Sequence, residues 1–275
     1  MDDFQAARGG SGRLFHKLEG ERLDDLNRNG LMILQKEKGF RFGTDAVLLA
    51  DFAAPKPGDR VADLGAGGGI LSILMADAEP GAAFDAVEWQ RELCDMARRS
   101  VEGNALEGRI TVHPLDVRRA ARVLGASEHT LVVCNPPYHP EGTVPVSPDP
   151  ASRLSRNEGE STLADFVLCA SKLLKNGGRA AFVYPAPRVF DLMCALRAHR
   201  LEPKRIRLVQ NRPDSKPKLA LLAAVKGAGA WLDWLPPLIL RDEGNALSAE
   251  YRRIYRLPLD ESGGKPHNTV GAECQ

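Results

Sequence analysis

Val61-Ala62-Asp63-Leu64-Gly65-Ala66-Gly67-Gly68-Gly69 is the stretch on which the reading of this chain turns. Residues suited to a buried strand run straight into a turn with four glycines in five positions, and Ile70 to Asp77 continues with an apolar helical period. Glycines between a strand and a helix let the backbone pass close under a ligand, and the helix N-terminus behind them favours an anionic group. A nucleotide-type cofactor is therefore expected. The dinucleotide fingerprint G-x-G-x-x-G would need glycine at position 70, where Ile70 stands, whereas Gly65, Gly67 and Gly69 follow G-x-G-x-G. The spacing disfavours NAD.

Outward from that turn, short apolar runs alternate with helical periods. Ala83 to Glu88, Ile110 to Val112, Thr130 to Cys134 and Arg179 to Tyr184 read as strands, and Arg91 to Val101, Arg118 to Leu124 and the stretch opening at Thr162 read as helices. Strands of four to six residues separated by such helices make βαβ units on a parallel sheet. Thr162 and Asp165 form a capping box, and Asn176-Gly177-Gly178 is expected to close that helix. A further helix starts at Pro187. Arg205 to Val209 and Leu219 to Val225 are separated only by Gln210 to Lys218, too short for a crossover helix, so they should form an antiparallel hairpin at the sheet edge. The expected fold is α/β, a Rossmann-like, seven-stranded, mostly parallel sheet with a C-terminal antiparallel hairpin. Residues 1–20 and 258–275 are polar and Gly-rich and are expected to be tails, the first disordered. Residues 21–58 form an extension with a strand at Leu31 to Gln35 and a helix capped by Thr44 or Asp45, and residues 59–257 the main unit.

Composition supports an ordinary globular chain: 275 residues, 37 Lys+Arg against 36 Asp+Glu, 43% hydrophobic. Cys94, Cys134, Cys169, Cys194 and Cys274 show neither a C-x-x-C pair nor a His cluster, so reduced thiols and no metal site are expected. The N-terminus is not basic-then-apolar, and no apolar run approaches the length of a membrane span, which points to a cytoplasmic protein without a membrane partner.

Three carboxylates follow successive strands. Glu88 ends the second and is placed to accept from two ribose hydroxyls, Asp63 ends the first, and Asp116, behind Leu115, follows the third, within reach of an adenine amino group. Any one alone is more often a helix cap or a solvated charge; three at consecutive strand ends, behind a glycine turn, read as a site. After the fourth strand comes Asn135-Pro136-Pro137-Tyr138. The prolines fix φ and remove two donors, so the loop can aim backbone carbonyls at a ligand. An amine conjugated to a ring is a poor nucleophile because its lone pair is delocalised. The Asn135 side-chain oxygen and a proline carbonyl of the motif, both accepting from the NH2 group, would localise that pair, and Tyr138 could stack on the base.

Together, Asp63 to Gly69, Glu88, Asp116 and Asn135 to Tyr138 resemble the S-adenosyl-L-methionine-dependent amino-methyltransferases of class I. Leu31 to Gln35, Gly39 to Ala50, Asn211-Arg212-Pro213, Leu222 to Lys226 and Pro236 to Asp242 resemble the bacterial tRNA(Val) adenine N6-methyltransferase family, over residues 25 to 257. The resemblance implies S-adenosyl-L-methionine as cofactor, held by Thr44, Asp63, Gly65, Ala66, Gly67, Gly69, Glu88, Trp89, Leu115, Asp116 and Asn135. It implies tRNA as the partner and, as the reaction, methylation of the adenosine immediately 3′ of the anticodon. One departure is Asn157, which stands before Glu158 where family members often carry a histidine.

Charge distribution adds a phosphate-binding expectation. Between Arg197 and Lys226 there are nine Lys/Arg against two acids, with Arg212, Lys216 and Lys218 in the expected turn and Arg252, Arg253 and Arg256 as a possible extension. A solvated edge strand that resists aggregation is the competing reading. Arg41 and His139 are candidate RNA contacts, and the loop Pro136 to Pro150, with six prolines in fifteen residues, a candidate gate. Two alternatives stay open: a protein glutamine N5-methyltransferase, whose family usually carries a large helical domain ahead of the catalytic unit, and a non-catalytic RNA- or nucleotide-binding module. No obligate protein partner is expected.

Overall fold

A computed structural model describes residues 5–8, 12–38, 43–138 and 161–258. Four short strands open the chain, β1 (Gln5–Arg8), β2 (Leu14–Lys17), β3 (Glu21–Asp25) and β4 (Met32–Lys36), paired as two antiparallel hairpins, and α1 (Thr44–Ala53) follows. The main unit then alternates β5 (Arg60–Leu64), α2 (Ile70–Ala78), β6 (Ala83–Glu88), α3 (Arg91–Gly103), β7 (Ile110–Pro114), α4 (Val117–Leu124) and β8 (His129–Cys134). After the undescribed residues come α5 (Leu163–Leu173), β9 (Leu174–Pro185), a 3₁₀ turn (Ala186–Arg188), α6 (Val189–Ala198), β10 (Leu201–Gln210) and β11 (Leu219–Lys226). Two-residue strands β12 (Asp233–Trp234) and β13 (Leu238–Ile239) and helix α7 (Ala249–Tyr255) finish the described chain.

In the main sheet the strands lie in the order β12, β10, β11, β9, β8, β5, β6, β7, with β13 also on β10. Strands β5 to β9 are parallel, and β11 runs antiparallel to both its neighbours. Alternation along each strand feeds two cores. Leu131 and Val133 face α1, α2 and α3, while Val132 and Cys134 face α4, α5 and α6. Strand order reverses between β5 and β8, and at such a switch point the crevice beyond the carboxyl ends of the strands is the natural ligand site.

Three expectations are corrected. Residues 1–20 are not a free tail where described: β2 packs on α3, and Phe15 is fully buried. A side-chain carbon on Gly103 would fall 2.2 Å from the Phe15 ring, so this glycine makes room for it. Nearby, Arg99 pairs with Glu21 at 2.6 and 2.7 Å and donates to the His16 carbonyl. The hairpin does not end the sheet, because β12 and β13 add to β10 in parallel. Asn176-Gly177-Gly178 lies inside β9, which begins directly after α5, rather than closing the helix. Thr162 and Asp165 do form the capping box.

Phe15→Ala is expected to lower the unfolding free energy by about 3–5 kcal/mol, the range for emptying a buried aromatic site, as read by urea denaturation. An unchanged midpoint would restore the tail reading.

Candidate active site

Leu64 registers with Cys134, so the chain leaves β5 and β8 side by side at Gly65 and Asn135. Gly65, Gly67 and Gly69 all take positive φ, at 74°, 54° and 85°. At Gly65 a side chain would also meet the Phe166 ring at 3.2 Å, whereas above Gly67 the space is open. The turn is therefore both left-handed and bare on its outer side, which suits a closely seated ligand. Gly65 and Ala66 donate to the Val87 carbonyl, tying the turn to β6. Glu88, buried at the end of β6, accepts from the Gly67 and Gln90 amides at 3.0 and 2.9 Å. Burial pushes its carboxyl up, and those amides oppose the shift.

Asp63 lies beneath the turn, fully buried. One of its oxygens accepts from the Ser72 amide and hydroxyl at 3.2 and 2.8 Å, and the other, Oδ1, has no protein partner. Burial raises its pKa to about 7.

At the other lip, Asn135 Nδ2 donates to Asp45 Oδ2 at 2.8 Å, and the Tyr138 hydroxyl lies 2.5 Å from Asn135 Oδ1 and 3.0 Å from the same Asp45 oxygen. Pro136 is buried and Pro137 exposed. The Tyr138 ring meets Tyr184 edge-on at 5.9 Å. Arg188, lying over the Tyr184 ring, donates to the Tyr138 carbonyl at 3.1 Å. Sequence reasoning missed Arg188, and it read Asp45 only as a cap; the cap position of the helix is instead Gly43, with no side-chain cap bond.

The methyltransferase small domain family matches residues 37–188, more than half of the chain. The chain belongs to this family. Its relatives include a tRNA1(Val) (adenine(37)-N6)-methyltransferase of Porphyromonas gingivalis, 27% identical over 223 residues, covering 78% of this chain and 86% of that protein. A protein of the same name from Tolumonas auensis is 27% identical over 218 residues, covering 79% and 89%. The crystal structure of a predicted O-methyltransferase from Agrobacterium tumefaciens superposes with a TM-score of 0.65 at 26% identity, covering 78% of this chain and 96% of that one. The fold is thus the Rossmann-like methyltransferase fold.

Within this methyltransferase the remaining candidates are placed unevenly. Trp89, next to Glu88, is half exposed, and the Leu115 amide donates to the Glu88 carbonyl. Asp116 caps α4 through the Arg118 amide and pairs with the Arg118 guanidinium, which holds its carboxyl below the usual range. Thr44 hydrogen-bonds Tyr255. Arg212, Lys216 and Lys218 sit in the turn from β10 to β11, at the end of the sheet that holds the site. Several cations of the run are engaged away from this turn. Arg207 is paired with Glu250, Arg197 with Glu202, and Lys226 donates to the last carbonyls of α5 at the far end. Arg253 and Arg256 pair with Asp51 and Asp77, and Arg252 donates to backbone carbonyls, so the expected extension of the strip docks α7 instead. Arg41, His139, Asn157 and most of the Pro-rich loop lie outside the described residues. Among the described residues no helix is long and apolar enough to cross a membrane, and no His, Cys, Asp and Glu cluster suits a metal.

The partnerless Asp63 oxygen, the open space above Gly67 and the Glu88 carboxylate fit a nucleotide-type cofactor with polar groups on both sides of the turn. Asp63 also sets a pH dependence. Its pKa is raised in the fold, from about 4 when unfolded to about 7, so its contribution to stability is complete below the unfolded value and is lost as pH rises through the folded one. Urea midpoints of the protein should therefore fall between about pH 4 and pH 7, and Asp63→Asn should flatten that component. An identical slope in the variant would mean the buried carboxyl does not titrate there.

Proposed function

We propose that the protein transfers the methyl group of S-adenosyl-L-methionine to the exocyclic N6 amine of an adenosine in RNA. The substrate we infer is the tRNA adenosine immediately 3′ of the anticodon, modified in the cytoplasm. The observation that carries the reading is the Asn135 amide, fixed beside the glycine turn with its oxygen directed away from Asp45. The names of the relatives from Porphyromonas gingivalis and Tolumonas auensis support the choice of RNA and position.

The cofactor, when bound, supplies an electrophilic methyl group on a sulfonium. The residues that would hold it are those of the turn from Gly65 to Gly69, with Asp63, Glu88, Trp89, Leu115, Asp116 and Thr44 around it. Asn135 Oδ1 and the Pro136 carbonyl accept from the two N–H bonds of the adenine amine, which draws its lone pair out of conjugation and towards the methyl. Because the two acceptors are built on a proline-stiffened loop, they need little reorganisation as positive charge develops on the amine. Tyr138 supplies an aromatic face to a base that must leave the anticodon-loop stack to enter. Arg212, Lys216 and Lys218 offer phosphate contacts on the same rim, with Arg41 and His139 as further contacts.

Incubation of unmodified tRNA with labelled S-adenosyl-L-methionine, followed by mass spectrometry of the nucleosides, should show N6-methyladenosine. Asn135→Ala should slow its formation about a hundredfold while the protein stays folded, the scale for losing one oriented group at a site of developing charge. Label found in a release-factor glutamine instead, with tRNA unmodified, would overturn the reading.

A further inference from the structure

Asp45 lies 90 residues from Asn135 in the chain, yet its carboxylate is where the catalytic loop meets the N-terminal extension. It stands in the first turn of α1, where the helix dipole favours negative charge. Its two oxygens have separate duties. Oδ1 accepts from the Ala46 amide at 2.9 Å and lies against Gly43, where a side-chain carbon would come within 2.7 Å of it. Oδ2 accepts from Asn135 Nδ2 and from the Tyr138 hydroxyl. The backbone at Gly43 is extended, with φ −100° and ψ −178°, a conformation any residue adopts, so its missing side chain matters here for the space left to Asp45.

An ionised carboxylate only accepts hydrogen bonds. Facing one, the Asn135 amide has a single favourable orientation, with NH2 towards Asp45 and Oδ1 towards whatever enters the crevice. A side-chain amide in place of Asp45 would remove that choice, because it can accept from Nδ2 or, turned over, donate to Oδ1. The Tyr138 phenol has one hydrogen, and among the acceptors it reaches are Asn135 Oδ1 and Asp45 Oδ2. An amine arriving at Oδ1 therefore competes with the phenol, and Asp45 offers the displaced hydrogen another acceptor.

Resting on the amine-methylation reading, we propose that Asp45 is the positioning residue of the catalytic loop: it locks the Asn135 amide with its oxygen towards the substrate and takes over the Tyr138 hydroxyl when the substrate amine claims that oxygen. It touches neither the methyl donor nor the base in this role.

The test compares wild type, Asp45→Asn, Gly43→Ala, Asn135→Ala and the Asp45→Asn/Asn135→Ala double variant on tRNA, with S-adenosyl-L-methionine affinity measured by calorimetry. For Asp45→Asn, kcat should fall about ten- to a hundredfold, the effect of removing a hydrogen bond to a charged group, while KM for tRNA and cofactor Kd stay within about twofold. Gly43→Ala keeps the carboxylate but crowds it, and should lower kcat in the same direction. The double variant should be no slower than Asn135→Ala alone, since residues acting as a unit do not add. Independently of any RNA, the Asn135 side-chain NH2 signal in a ¹⁵N spectrum, assigned by its disappearance in Asn135→Ala, should move and exchange faster with solvent in Asp45→Asn. Unchanged kcat in Asp45→Asn, multiplying losses in the double variant, or weaker cofactor binding with kcat intact would each overturn the proposal. If the wild type methylates no RNA, the functional reading falls by itself, and an Asn135 signal indifferent to Asp45→Asn would then overturn the clamp as well.

Discussion

Parallel pairing of β5 on both sides is the constraint from which the rest follows. Because β6 and β8 flank it in the same direction, β5 can have no solvent-exposed edge, and all but its first residue are buried. Its two connections must then part: one chain path goes to β6 and β7, the other returns through β8 and β9. Loops leaving β5 and β8 at Gly65 and Asn135 are thereby adjacent without being neighbours in sequence. The glycine turn and the Asn135 loop meet there because sheet register leaves them no other place.

What could be read from residues alone was what is local. The glycine spacing from Gly65 to Gly69, the capping box at Thr162 and Asp165, and the apolar run that makes Thr130 to Cys134 a strand each depend on positions a few residues apart. Phe15 escaped notice because its burial depends on Gly103, and nothing within residues 1–20 announces that partner. Asp45 is the same kind of case. As a sequence feature it is an acid at a helix start, and only the packing of α1 beside β8 turns it into the acceptor for Asn135. A carboxylate in the first turn of an apolar helix, with glycine two positions earlier, was the available hint.

Charge was legible in amount but not in place. The count between Arg197 and Lys226 is correct, yet β10 and β11 run the full height of the sheet, so a continuous basic run in sequence is divided between its two ends. Lys226 serves the C-terminus of α5, and Arg207 is held by Glu250. These contacts occupy cations that would otherwise attract phosphate. At the site end lies the turn holding Arg212, Lys216 and Lys218, with Asp214 3.9 Å from the Arg212 guanidinium, a compact patch whose size suits a few phosphates rather than a long backbone.

The polar groups at the loop are already paired with one another, and this shapes what the site can select. A buried donor or acceptor left without a partner costs about 1–3 kcal/mol, and Asn135, Tyr138 and Asp45 avoid that by bonding mutually. A ligand that displaces the Tyr138 hydroxyl from Asn135 Oδ1 must return a donor in exchange. An amine does so, with a second N–H left for the Pro136 carbonyl. A base carrying a carbonyl at the same position, as inosine does, brings an acceptor against an acceptor and leaves both oxygens unsatisfied. Discrimination by an unpaired buried group is far stronger than discrimination by fit, so under the proposed amine methylation the same loop also rejects the deaminated base.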